Sequence, residues 1–130
     1  MSSRWQRISR ILIGLIGIGS VLNGLWMLAM PVPWYVYIPA ALQDFGAPNA
    51  HLVRDGGCGF LAVGVGLLWA LPRPVHAMPL IALACVFYCV HALVHVWDTA
   101  TGAVGPEHWL IDLPLTYLPA IVLLALLARA

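Results

Sequence analysis

Four runs of apolar residues, at 8–30, 52–71, 79–97 and 109–128, take up most of this 130-residue chain. Crossing a hydrocarbon core of about 30 Å takes about 20 consecutive apolar residues in a helix, the one open-ended element that satisfies its own backbone polar groups in lipid. All four runs reach that length. The sequence therefore predicts an all-α integral membrane protein, a four-helix antiparallel bundle in a single domain over 1–130. The charge content agrees, because 8% of the residues are charged whereas a water-soluble domain carries about 25%. Only the connection at 31–51 is long, and nothing outside the runs could build a separate soluble domain.

Arg4 and Arg7 precede the first run and Arg10 lies in its first turn, and Ala29 lies near a cleavage-like position, as in a secretory signal. A signal's apolar region is about 7 to 15 residues, and this one is longer than that. A retained helix is expected. Arginines near span ends stay in the cytoplasm, and Arg4, Arg7, Arg10, Arg73 and Arg129 fall on one side of a four-span arrangement. Both termini and the 71–78 turn are then cytoplasmic, and the 31–51 and 98–108 connections lie outside. Trp34, Tyr35, Tyr37, Trp97 and Trp109 are expected at the outer interface, with Trp5 and Trp69 at the inner one. Such belts fit aromatic rings that are apolar in body and polar at the tip.

The ionisable side chains are segregated. All five acids, Asp44, Asp55, Asp98, Glu107 and Asp112, belong to the outer end, as do Arg54 and four of the five histidines, His51, His91, His95 and His108; only His76 lies inside. Asp44 and Glu107 read as solvated loop residues. His91, His95, Arg54, Asp55 and Asp112 lie within the apolar runs, where an ionisable group is costly and is a functional candidate by default.

A helix advances about 100° per residue, which puts His91, His95 and Asp98 on one stripe of the third run. His51, Asp55 and Cys58 form a second stripe with Arg54 on its flank, and His108 and Asp112 a third. The three stripes share one depth, so they are expected to turn inward and meet, with Asn23 closing the fourth side. The glycines of the first two runs predict close packing there, with Ser20/Gly24 and Ala62/Gly66 as pairs of small residues. Cys85 and Cys89 lie off the histidine stripe and read, with Cys58, as small buried hydrophobes, with no disulfide framework. Pro114 and Pro119 each remove a backbone hydrogen bond and predict a bent fourth helix.

Two imidazoles one turn apart can grip a single ion. His51, Asp55, His91, His95 and Asp98 are accordingly the candidate ligands of a transition metal (zinc, copper or iron), with Arg54, His108 and Asp112 supporting them. The glutamate of a zinc peptidase motif is missing from the His91-x-x-x-His95 spacing. The same groups lining apolar walls would equally suit a small lipophilic ligand, on which a His/Asp pair could move a proton, with Phe87 and Tyr88 nearby. The alternative is an accessory subunit in which the cluster is an ionic network, with Arg54 paired to Asp98 or Asp112, and the glycine-rich faces meet other membrane subunits or a second copy. A proton or ion carrier fits less well, because no polar relay continues through the inner half. Too few basic residues remain for nucleic acid, and no phosphate-binding glycine loop or nucleophile elbow occurs. No enzyme class follows.

His51-Leu-Val-Arg54-Asp55-Gly56-Gly57 opening the second run and His91-x-x-x-His95-x-x-Asp98 closing the third resemble the small four-helix bacterial membrane proteins of the broad DoxX-like type. That resemblance implies a four-span fold in a bacterial cytoplasmic (inner) membrane and leaves the activity open.

Overall fold

The computed structural model describes residues 3–129, without the side chains of Ser3, Trp5, Pro74 and His76. The expectations for Trp5 and His76 lie outside the described side chains. The chain is helical almost throughout, and no strand occurs among the described residues. The order is α1 (Ser3–Ala29), α2 (Pro31–Tyr37), a 3-10 turn (Leu42–Phe45), α3 (Ala50–Ala70), α4 (Pro74–Thr101), α5 (His108–Ile111), a π turn (Leu113–Tyr117) and α6 (Leu118–Leu127). Among the described residues three helices are long and apolar enough to cross a membrane, at Gln6–Ala29, Ala50–Ala70 and Ala77–Thr101, and Leu113–Leu127 is a shorter apolar stretch.

α1 and α3 run antiparallel at the closest approach in the molecule. A Cβ on Gly24 would lie 2.7 Å from the Gly57 carbonyl oxygen, and one on Gly64 would lie 2.7 Å from the Val21 nitrogen and 2.8 Å from the Gly17 carbonyl oxygen. Backbone therefore meets backbone, with Gly17 and Gly24 facing Gly64 and Gly57. Of the small-residue pairs expected from the sequence, Ser20 and Gly24 lie in this contact, the Ser20 Cβ 2.9 Å from a Cβ on Gly64, whereas Ala62 is exposed and Gly66 faces Leu80 of α4. Ser20 donates to the Ile16 carbonyl at 2.7 Å, so its 2.6 Å bond with Tyr88 is donated by the tyrosine. That bond ties α4 to α1. Around it Ile13, Leu67, Ala84, Cys85, Ala120 and Leu123 form the main core.

The long connection is not open loop. Pro31 starts α2 at a position where its missing N–H is no loss. Trp34 folds back into a second small core with Met27 and Val53, its indole N–H donating to Asn23 at 2.8 Å. Asn23 therefore anchors α2 and does not close a polar site, and Trp34 is buried against α1 and α3. The Tyr35 hydroxyl donates toward the carbonyls of Leu42 and Gly46. Gly46, at φ +105, lets the chain turn there. These bonds fold residues 42–45 onto the ends of the helices behind them.

The fourth apolar run is interrupted. Pro114 and Pro119 lack amide protons, so the α pattern stops after the single turn of α5, and the Asp112 carbonyl accepts from both Thr116 at 2.9 Å and Tyr117 at 3.2 Å. Such a π turn widens the helix by one residue and often marks a functional site.

Candidate functional site

The break in the fourth run places Asp112, the residue just before the π turn, at the centre of a buried polar cluster. It is 1% exposed and His108 is fully buried. α5 sets His108 one turn ahead of Asp112, with Nδ1 3.3 Å from Oδ2. α4 brings His95 to the same oxygen, Nδ1 to Oδ2 at 2.9 Å. The folded connection supplies the third contact, Asp44 Oδ2 to His108 Nε2 at 3.1 Å. Phe45 covers the group, its ring edge-on to His95 at 5.8 Å and to His108 at 5.2 Å. Thr99 donates to the His95 carbonyl at 2.9 Å.

Proton positions follow from these partners. Both ring nitrogens of His108 face carboxylate oxygens, which cannot donate when ionised, so both carry hydrogen and the ring is an imidazolium. Burial works against that charge, but the hydrogen bonds to Asp44 and Asp112 and the two negative charges outweigh it, and the His108 pKa is raised. In its neutral form, with the Nδ1 hydrogen directed to Asp112 2.9 Å away, His95 keeps a lone pair on Nε2. Carboxylate-oriented imidazoles of this kind serve as general bases and as metal ligands. Next to His95, at 4.8 Å between ring centroids, stands His91. Its ring is stacked on Phe87 and edge-on to Phe60, so the two imidazoles have an aromatic wall on one side.

Two buried oxygens remain without a hydrogen-bond partner among the described residues: Asp112 Oδ1 and the Tyr117 hydroxyl. Tyr117 lies within the electrostatic reach of Asp112 and beside Thr99 without bonding either in good geometry. Buried polar atoms are nearly always paired, and these two mark where a further donor or acceptor would be held.

The structure gathers some of the sequence candidates and disperses others. His91, His95, His108 and Asp112 come together. His51 and Asp55 face outward instead, at 83% and 61% side-chain exposure, and pair with each other at 3.4 Å. Arg54, expected to seek Asp98 or Asp112, is exposed and donates through Nε to the Leu28 carbonyl at 3.2 Å. The Asp98 carboxylate joins no polar side chain among the described residues; its carbonyl closes the end of α4, receiving Ala103 at 2.9 Å. The second stripe thus points away from the other two, because the glycine contacts turn the opposite face of α3 toward α1. Cys85 is buried and Cys89 half-buried, with their sulfurs 3.8 Å apart, while Cys58 is exposed.

Asp44 and Phe45 were not legible as site residues. They sit in a connection without periodicity, and only an acid followed by an aromatic hinted at them. An apolar groove opens between α1, α2 and α3, lined by Met27, Trp34, Tyr35, Leu42, Leu52 and Val53. Among the described residues no group of three or more His, Cys, Asp or Glu side chains is arranged to hold a metal ion. No family model, curated protein or solved structure matches the chain.

Proposed function

We propose that this is a four-span protein of a bacterial cytoplasmic membrane, of the DoxX-like kind its two motifs resemble. Both termini are cytoplasmic, and its Asp112–His95 dyad acts as proton acceptor toward a small lipophilic ligand at the periplasmic end. One observation carries this reading: a single buried carboxylate oxygen takes hydrogen from two imidazoles, which fixes His95 with Nε2 free beside apolar and aromatic walls. A ligand hydroxyl or enolisable carbonyl would suit that base, and the unpartnered oxygens of Asp112 and Tyr117 would suit its polar end. A transition metal on His91 and His95 is the competing occupant of the same pair, and it lacks a third ligand in the cluster.

His108 favours a second, structural role for its own half of the cluster. With both nitrogens held by carboxylates it has no free lone pair, and it clasps the 42–45 turn to α5. In an accessory subunit the whole cluster would serve only in that way.

Protein purified in lipid nanodiscs, with His95→Ala and Asp112→Asn beside it, separates these readings by extraction and mass spectrometry together with elemental analysis. A lipophilic compound enriched on the wild type and lost from His95→Ala supports the proposal. Stoichiometric metal lost from the same variant would transfer the site to metal binding. Identical lipid content in all three proteins, with no metal, would leave the cluster structural.

A further inference from the structure

The outward stripe of α3 extends the full length of the helix. His51, Asp55, Cys58, Ala62, Val65 and Trp69 are all exposed, and they succeed one another in alternating steps of four and three residues. That spacing is the seam of two helices packed side by side, in which an apolar or small residue recurs about every 3.5 residues. Its outer end is polar. In a helix that crosses a membrane, ionisable side chains turned toward lipid are disfavoured and are covered by protein.

We propose that α3 pairs in parallel with α3 of a second copy of this chain along that stripe. All copies in one membrane share one orientation, so a two-fold axis along the membrane normal sets each stripe against itself. In such a seam each projecting side chain enters a hole made by four residues of the facing helix. For Asp55 the hole consists of the second copy's His51, Arg54, Asp55 and Cys58. The charges are complementary there. Among the described residues Asp55 has only its own His51 as a partner, at 3.4 Å. Arg54 has one bond, through Nε to Leu28, and its two terminal nitrogens find no acceptor among the described residues. Arg54 of each copy therefore answers Asp55 of the other and offsets the approach of the two carboxylates. Below them Cys58 and Ala62 are small enough for close approach. Trp69, with Arg73 lying over its ring at 4.0 Å, ends the seam.

This pairing rests on the membrane reading but not on the chemistry of His95. Its test is thiol crosslinking in native membranes after alkaline extraction, starting from Cys85→Ala, Cys89→Ala, which leaves Cys58 as the one thiol. Oxidation is expected to convert most of the protein to a disulfide-linked dimer. Moving the thiol to Val65, on the seam, should keep crosslinking within about twofold, while moving it to Val90 on the exposed face of α4 should reduce it at least tenfold. Arg54→Asp and Asp55→Arg should each reduce Cys58 crosslinking severalfold, and their combination should restore it. Equal crosslinking at Val65 and Val90, or none at Cys58 and Val65, overturns the pairing. Loss of the chain from the extracted membranes overturns the membrane reading and the pairing together.

Discussion

The α1–α3 seam and the polar cluster where α4 meets α5 solve the same packing problem in opposite ways. At the seam two backbones approach until Gly24 and Gly64 leave no room for a Cβ, and apolar side chains such as Leu61, Leu68 and Met27 close in around them. The polar cluster is all side chain, with two imidazoles, His95 from α4 and His108 from α5, converging on Asp112 and Asp44 holding the far nitrogen of His108. Seam stability comes from dispersion summed over many small contacts. Cluster stability comes from a few charge-assisted bonds, each of which leaves a buried charge exposed to its neighbours' loss. The first tolerates no added volume, and the second no missing partner.

Removing the shared carboxylate should break the cluster most severely. Asp112→Ala strands His108 and His95 together and should cost about 3 to 5 kcal/mol, measured by reversible unfolding in bicelles. A loss below about 1 kcal/mol would show that the cluster holds nothing together. Gly64→Leu drives a side chain into the backbone of α1 and should cost about 3 kcal/mol in the same assay. Gly19→Ala, where a Cβ meets nothing within 4 Å, should instead leave stability unchanged or raise it by up to about 1 kcal/mol through helix propensity. If both glycine variants behave alike, backbone contact is not what holds the seam. Tyr88→Phe deletes the bond to Ser20 and should cost about 1 kcal/mol, the mildest loss, because the ring remains buried.

pH separates the two regions further. The folded His108 pKa lies above its ordinary value of 6.5, so the folded state holds a proton that the unfolded chain gives up first. The stabilisation is fully present below about pH 6.5 and disappears as pH rises through the raised value. Unfolding measured from pH 6 to 9 should therefore show stability falling in the wild type, and His108→Gln should flatten that dependence. Gly64→Leu should retain it, since the seam carries no titrating group. A wild-type slope that survives in His108→Gln would assign the titration to another residue.

How much of this could be read from the chain differs between the two regions. The long apolar helices follow from run length and helical period. Each begins a few residues before the expected run, and α4 also continues past it to the stop at Gly102, whereas α1 and α3 end one residue short of it. The proline-rich fourth run was expected to bend, and it changes to a π turn beside Asp112. Cluster membership was only half legible. His91, His95, His108 and Asp112 share a depth and meet, whereas His51, Asp55 and Arg54 share that depth and do not.

The amino-acid sequence by itself determined what is local: which segments are apolar helices, which end gathers the acids and histidines, and which residues share a stripe. Those properties depend on transfer free energy and a fixed angle per residue, both readable one helix at a time. The tertiary structure decided the rotation of each helix about its axis, and with it which stripe turns inward. α3 is rotated by the contacts of Gly57 and Gly64 with a helix more than thirty residues away, and Asp44 reaches His108 only because Tyr35 and Trp34 fold the connection back. Both are settled by volume and hydrogen bonding between distant parts of the chain, which no single stretch of sequence encodes.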